Sequence, residues 1–389
     1  MITCMAHEAW MIGILIGIAM IMYQALFPAI LFWCVTYVVR IFSIQLPVVR
    51  LCMWAIALLL FIMWTDCYSL YLFGRLEGYP LMQPLILLAH KPYLLYLVTA
   101  IGKFLCLLFF MLFSISYVLL LWYKNCNALF FVCIVTIAWF FPWGINKTAT
   151  YEHDWQRQIK TLPYMVHTTA QNPIIMIRTV ANQLKNIIAK SPATEIVIMP
   201  ESAFNISNFA DIPEMIQLWN KNCLGKSIHF IFGASRWHNT HYYNSLHWVY
   251  NGVLQNCFDK RHAMLISERL VSWMDNNIMR QTYFNSSPLV TISSDVRTKL
   301  ILSEIITFIP YICSELFFNE FPDDTYGPIP IIAIINDILF TDNFWTLYIG
   351  KLLLLLARYK AIVWKRDIVY VSYQQSVFID RYGNIKEIN

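Results

Sequence analysis

Charged residues are scarce in the first 150 residues of this chain of 389 residues. That stretch contains seven Lys or Arg residues and three Asp or Glu residues, whereas the rest of the chain has nearly equal numbers of the two signs. The net charge of +5 therefore comes mostly from the sparsely charged stretch and does not form one dense basic face. This distribution argues against a nucleic-acid-binding protein, which needs such a face.

The sequence also lacks Cys-x-x-Cys pairs and His-rich spacing, although it contains ten cysteines. Neither a zinc site nor a disulfide framework is therefore predicted, and we expect no metal and no cofactor. Seven of the cysteines lie in or beside apolar runs of the first half, and the others are Cys223, Cys257 and Cys313. Pairing of Cys223 with Cys257 in an oxidising compartment stays open, and we interpret Cys313 as a free thiol.

Long apolar runs occupy the low-charge half and are typical of transmembrane helices. A helix that spans a bilayer needs roughly 20 mostly apolar residues, and about five such spans fit here. The runs cover 10–22, 25–39, 51–64, 92–122 and 128–143. A signal peptide is a poorer interpretation of the first run, because that run lacks a basic flank and further apolar runs follow it. We predict a transmembrane domain over residues 1–145.

The few basic residues near these runs favour a cytoplasmic amino terminus. The inner loops would then contain Arg40, Arg50 and Lys124, and the outer loops Arg75 and Lys91, which agrees with the positive-inside rule by one charge. With an odd number of spans, the second half of the chain would lie outside the cytoplasm.

After about residue 145 the pattern changes to the alternating strands and helices of an α/β protein. Apolar spacing predicts helices over 174–190 and 346–363, and strands over 195–199, 227–233, 243–253, 300–313 and 329–335. A strand, a turn and a strand are predicted from residue 368 onward. The second helix contains Lys351, Arg358 and Lys360, which is too much charge for a further span.

Polar phrases that follow or interrupt these apolar strands offer a carboxylate, an amine and a thiol. A thiol becomes a strong nucleophile only when it loses its proton, and a carboxylate in a dry pocket can accept that proton and later return it. Glu201 suits this role toward Cys313. The oxyanion that forms during acyl transfer needs positive charge or N–H donors, which Lys260 and the backbone of Ser314 can supply. These residues predict acyl transfer through a thioester.

Five ordered motifs resemble those of the carbon–nitrogen hydrolase (nitrilase) superfamily. They are Pro200-Glu201-Ser202, Tyr243-Asn244-Ser245, Phe258-Asp259-Lys260-Arg261-His262, Cys313-Ser314-Glu315 and Asn336-Asp337. Within that superfamily the chain is most similar to the membrane-embedded branch, which includes apolipoprotein N-acyltransferase and the conjugal-transfer protein TraB. The resemblance implies an α/β fold class, with a multi-span α-helical membrane domain followed by a nitrilase-like αββα sandwich over residues 146–389.

The resemblance also implies roles for individual residues. Glu201, Lys260 and Cys313 would form the catalytic triad. Supporting positions are Glu268, Ser314, Glu315, Tyr243, Asn244 and Asn336. Among these, Glu268 resembles a glutamate that places the lysine, and Glu315 matches the acidic member of a Cys-x-Glu motif, although structural ion pairs are as good an interpretation of both. We interpret Tyr243, Asn244 and Asn336 as packing or turn residues that shape the pocket.

For the substrate, the resemblance implies a phospholipid as acyl donor and the amino group of a lipoprotein as acceptor. The shorter chain raises an alternative, a TraB-like component of conjugative transfer that acts on a pilin or another envelope protein. A further alternative is a non-catalytic interaction scaffold. The family's Cys-Tyr-Glu is Cys313-Ser314-Glu315 here, and its Pro-Phe-Gly-Glu is Leu265-Ile266-Ser267-Glu268, so the pocket wall differs. We expect a multi-pass protein of the bacterial inner membrane with its catalytic domain on the periplasmic side.

Overall fold

A computed structural model of the chain describes most of the second half and scattered positions of the first. The described residues are 30, 33–41, 49, 53, 56–57, 88–90, 95, 98–99, 102, 105–108, 113, 117, 132–134, 156, 158–162, 173–191, 193–204, 227–239, 241–263, 268, 280, 290–291, 299–303, 306–317, 329–337 and 344–388. The chain forms two compact units, residues 1–146 with 270–287 and residues 147–269 with 288–389. Both β-sheets belong to the second unit.

The first sheet contains five strands in sequence order. They are β1 (Ile159–Thr161), β2 (Ile196–Ile198), β3 (His229–His238), β4 (His241–Tyr250) and β5 (Val253–Asp259). The first three strands are parallel, and β3, β4 and β5 pair antiparallel. Asn251 and Gly252 form the turn between β4 and β5 and both have positive φ, of 48° and 72°, as a tight two-residue hairpin turn requires.

The second sheet contains six strands in the order β11-β10-β9-β8-β7-β6. They are β6 (Leu300–Ile301), β7 (Thr307–Ile312), β8 (Ile331–Ile334), β9 (Ile368–Val371), β10 (Ser376–Ile379) and β11 (Ile385–Glu387). The central strands β7, β8 and β9 are parallel, and the outer strands pair antiparallel. The central strands are almost wholly apolar and buried, which is typical of parallel strands covered on both faces.

Helices cover the outer faces of the two sheets. Helix α1 (Pro173–Lys190) packs its buried apolar residues against one face of the first sheet, and helix α2 (Phe344–Trp364) packs against β9 and β10. The inner faces pack against each other, and their buried residues include Ile198, Ile231, Leu246, Phe308, Ile334 and Val371. The second unit therefore has the helix–sheet–sheet–helix layering that the family resemblance implies.

The prediction of a multi-span membrane domain is wrong on the described part of the chain. Among the described residues, no helix has both the length and the apolar character that crossing a bilayer requires. Before residue 146 the longest continuous helical stretch described covers only 33–41, whereas a span needs roughly 20 residues. An apolar run indicates a span only if it forms one long helix, which composition alone does not establish. The predicted run at 10–22 lies outside the described residues.

Two strand predictions also need correction. A turn at 372–375 divides the predicted strand 368–380 into β9 and β10, because Ser372 closes that turn by donating its N–H and its hydroxyl proton to Gln375 O. The polar phrase that begins at Phe258, predicted as a turn, starts inside β5, which continues to Asp259. Both corrections concern segments that carry residues of the candidate site.

Candidate active site

Strands that run in the same direction end at one edge of the sandwich, and a polar residue follows each of them. In the first sheet β2 and β5 share this direction, and in the second sheet β7, β8 and β9 share one. The residues that follow are Glu201 (β2), Lys260 (β5), Cys313 (β7), Asn336 (β8) and Tyr373 (β9). Hydrogen bonds from Lys260, Asn336 and Tyr373 to Glu201 bring both sheets into one site.

Glu201 lies in a tight turn that presses against β3. The next residue, Ser202, has a positive φ of 54°. A Cβ atom added to Gly233 of β3 would lie 2.5 Å from Glu201 Cα and 2.9 Å from Pro200 O, so only glycine allows this approach. Gly233 N–H also donates to Pro200 O at 3.2 Å. The sequence analysis did not identify Gly233, because its role depends on which strand lies beside the turn.

The Glu201 carboxylate is almost fully buried and accepts a hydrogen bond at each oxygen. Oε1 accepts from Lys260 Nζ at 2.9 Å and from Asn244 Nδ2 at 2.7 Å. Oε2 accepts from the backbone N–H of Asn336 at 3.0 Å. These donors hold the carboxylate in one orientation, so Asn244 and Asn336 position Glu201 directly.

Lys260 is 1% exposed and contacts two carboxylates. Its Nζ lies 2.9 Å from Glu201 Oε1 and 2.7 Å from Glu268 Oε1. Burial alone would lower the pKa of the ammonium group, but the charges of Glu201 and Glu268 outweigh burial and raise that pKa above its usual value. Lys260 therefore carries a positive charge at neutral pH. An ammonium group has three N–H donors, so one remains for a bound molecule after the two carboxylates are served.

Cys313 begins a short 3-10 helix, Cys313–Phe317, directly after β7. It is half-buried and has a positive φ of 43°, a conformation that costs about 1–3 kcal/mol and occurs most often at functional sites. Burial, and after it the charge of Glu201, raises the pKa of the thiol well above its usual value, although Lys260 and the backbone of Asn336 oppose this. The resting group is a thiol that needs a base.

Glu315 and Ser314 fasten the Cys313 turn to the segment after Lys260. The buried Glu315 carboxylate accepts from the backbone N–H of Arg261 at 2.9 Å and from that of Ile312 at 2.7 Å. Ser314 Oγ donates to His262 O at 2.8 Å. In the described contacts, Glu315 therefore joins backbone segments. The backbone N–H of Ser314 as an oxyanion donor stays a prediction.

The alternation of side chains along a strand explains two of the motifs. Asn244 and Lys260 point to the site. Their neighbours Ser245 and Asp259 point to the opposite face, where Ser245 Oγ donates to Asp259 Oδ1 at 2.6 Å. The backbone N–H of Lys260 donates to Asn244 O at 2.8 Å, so the site members of the two motifs share one strand register. One member of each pair serves the site and the other fastens β4 to β5.

Two residues singled out from the sequence lie elsewhere. Tyr243 is on the opposite face of β4 from the site, with the Arg236 guanidinium 5.0 Å from its ring centroid. Cys257 is a free, half-buried thiol whose sulfur lies 3.1 Å from His247 Nδ1. Cys223, its possible disulfide partner, lies outside the described residues.

The turn between β9 and β10 supplies a site residue that the sequence analysis missed. Tyr373 Oη donates to the backbone carbonyl of Glu201 at 2.7 Å. Asp337 Oδ1 holds that turn by accepting from the N–H groups of Tyr373 at 2.9 Å and Gln374 at 3.3 Å. A polar interruption of the apolar run that begins at residue 368 is the only sequence signal of this contact.

The comparisons with known proteins give structural neighbours only. No family model and no curated protein matches the chain. It is similar to Nit3 of Saccharomyces cerevisiae, from branch 10 of the nitrilase superfamily, at 16% identity over 58% of this chain and 84% of that one, with a TM-score of 0.41. It is also similar to a carbon–nitrogen hydrolase from Helicobacter pylori, at 12% identity over 59% and 85%, with a TM-score of 0.42. A carbon–nitrogen hydrolase superfamily protein from Xanthomonas campestris gives 15% identity over 59% and 84%, with a TM-score of 0.40.

Similarity at this level carries no residue roles, so the site is argued from its own contacts. Among the described residues, no group of three or more His, Cys, Asp or Glu side chains lies close enough together to hold a metal ion.

Proposed function

We propose that this chain is a nitrilase-type enzyme that cleaves or forms carbon–nitrogen bonds through a thioester on Cys313. The observation that supports this most is the buried Lys260 held between Glu201 and Glu268 beside the thiol. Burying such ions is costly and adds little net stability, and perturbed groups of this kind cluster at functional sites. The same observation argues against a non-catalytic scaffold.

In the first step, Glu201 accepts the thiol proton while the sulfur of Cys313 attacks the acyl carbon. The raised pKa of the thiol makes this base necessary. The carbonyl electrons move to oxygen, and the remaining N–H of Lys260 stabilises that oxyanion. When the oxyanion collapses, the carbon–nitrogen bond breaks and Glu201 gives its proton to the leaving nitrogen. A thioester and a free amine result.

In the second step, Glu201 accepts a proton from the incoming water or amine, which attacks the thioester carbon. The carbon–sulfur bond breaks, and Glu201 returns the proton to the sulfur. The fixed carboxylate geometry suits both steps, because Asn244, Lys260 and Asn336 hold its oxygens throughout.

A phospholipid donor, a lipoprotein or pilin acceptor and a place at the bacterial inner membrane stay predictions from the sequence resemblance. The site chemistry is compatible with such a donor, since an ester also forms a thioester with loss of an alcohol. The contacts described above favour neither acceptor over the other. We therefore propose the reaction class from the site and treat the substrate as the part to be measured.

The test uses the purified full chain in detergent with two donors. One is p-nitrobutyranilide, whose cleavage releases coloured p-nitroaniline, and the other is a fluorescent phosphatidylethanolamine supplied with a peptide bearing an N-terminal diacylglyceryl cysteine. We expect turnover of at least one donor, its loss in Cys313→Ala, and its retention in Cys257→Ala. Transfer from the lipid would support the predicted donor. Turnover of neither donor by folded protein, or full activity of Cys313→Ala, would refute the proposed function.

A further inference from the structure

Asn244 presents an unused hydrogen-bond acceptor inside the candidate site. Its side chain is 7% exposed, and its Nδ2 donates to Glu201 Oε1 at 2.7 Å and to Glu268 Oε1 at 3.1 Å. Its Oδ1 is buried and has no hydrogen-bond partner among the described residues. Because Oδ1 and Nδ2 share one carbon atom, the oxygen lies in the same cluster as the two carboxylates.

The orientation of this amide follows from its neighbours. Exchanging the nitrogen and oxygen atoms would place the oxygen against two carboxylate oxygens, which are acceptors only. Two N–H donors toward Glu201 and Glu268 are therefore required at this position, and Oδ1 must point away from both.

An unsatisfied acceptor at this depth is uncommon and unfavourable. Buried polar side chains in folded proteins are paired in the large majority of cases, and leaving one unpaired costs about 1–3 kcal/mol. A different side chain could satisfy Glu201 and Glu268 without this cost, for example one that carries donors only. The retained amide indicates a use for its oxygen, and that use requires an N–H donor from a bound molecule.

We infer that Asn244 Oδ1 binds the N–H of the substrate nitrogen, so that the enzyme recognises amides or amines that carry at least one hydrogen on nitrogen. This inference rests on the proposed function and narrows its substrate class. A nitrogen bound to Oδ1 lies beside Glu201, because the same amide group contacts that carboxylate. Glu201 can then give its proton to this nitrogen when the carbon–nitrogen bond breaks. Esters and fully substituted amides lack this hydrogen and lose the contact.

The test compares two donors that have the same acyl group and nearly the same leaving group. p-Nitrobutyranilide carries one N–H, and p-nitrophenyl butyrate carries none. In Asn244→Ala the weaker positioning of Glu201 lowers turnover of both donors. Loss of the Oδ1 contact affects only the anilide, so we expect the anilide-to-ester ratio of kcat/KM to fall about tenfold further. Asn256→Ala, a change at an exposed asparagine of β5, serves as the matched control and should leave the ratio unchanged.

An equal fall for both donors in Asn244→Ala would overturn the inference, since Asn244 would then act only through Glu201. That outcome leaves the proposed function standing, because wild-type turnover of the ester already requires the thiol. No turnover of either donor by the wild type, with no acylation of Cys313, would refute the proposed function and the inference together.

Discussion

Lys260 Nζ lies 2.9 Å from Glu201 Oε1, and both side chains are almost completely removed from solvent. The ion pair joins the end of β5 to the turn after β2. Glu268 adds a second carboxylate 2.7 Å from the same nitrogen, so this cluster has more negative than positive charge. The stability and the chemistry of the site therefore depend on the single cation.

Replacing that cation should destabilise the fold strongly. In Lys260→Met two carboxylates stay at the site without their shared cation, and we expect a loss of about 3–5 kcal/mol in the free energy of unfolding. Chemical denaturation measures it, with Lys351→Met on the exposed side of α2 as control. Adding Glu268→Gln to Lys260→Met should recover part of the loss. Equal midpoints for Lys260→Met and Lys351→Met would contradict this account.

Gly233→Ala tests the close approach of β3 to the Glu201 turn. The new Cβ would lie 2.5 Å from Glu201 Cα, so the turn must move, at a cost of about 1–3 kcal/mol. We expect turnover to fall more than stability does, since the displaced carboxylate loses its contacts. In Gly350→Ala the nearest atom is a flexible side-chain end, Gln374 Nε2 at 3.3 Å, and this control should be tolerated. Comparable turnover in the two variants would argue against the tight approach.

Tyr373→Phe removes the donor to the Glu201 carbonyl without changing side-chain shape. Leaving that carbonyl unpaired should cost about 1–3 kcal/mol of stability, and kcat should fall with little change in KM, because Tyr373 acts through Glu201. Steady-state kinetics and denaturation midpoints measure these effects. The control Tyr382→Phe changes an exposed tyrosine. A change confined to KM would mean that Tyr373 contacts the substrate instead.

Acid should weaken the fold through His247. Burial lowers the pKa of this histidine to about 4, from 6.5. The folded state therefore favours the neutral ring, and the stability gained is present above pH 6.5 and lost as the pH falls through about 4. The loss amounts to roughly 3 kcal/mol. Burial also lowers the pKa of His229 to about 4, so His247→Gln should flatten the fall only in part. Identical slopes of the urea midpoint against pH for wild type and variant would contradict this assignment.

Much of the α/β unit could be predicted because its elements follow from local pattern. The helix predicted over 174–190 and the strand predicted over 329–335 correspond to α1 and β8, since continuous apolar runs and helical spacing are visible in the sequence. Glu201 and Lys260 lie together as the motif order suggested, because each follows a strand that ends at the same edge.

The remaining features depend on relationships that are distant in the sequence. Tyr373 meets Glu201 across 172 positions, and Gly233 matters only because β3 lies beside the turn after β2. Asp259 resembled a site residue but points to the opposite face, since β5 continues to it. The membrane prediction failed because it counted apolar residues without knowing whether they form a single long helix.

The central claim is that Cys313 carries the acyl group, and mass spectrometry of the trapped acyl-enzyme tests it most directly. Full-length protein is mixed with p-nitrophenyl butyrate, quenched in acid and digested. The account predicts a butyryl group on the peptide that contains Cys313, removed by hydroxylamine, absent from Cys313→Ala and present in Cys257→Ala. A butyryl group on Cys257 alone, or the same adduct in Cys313→Ala, would contradict it.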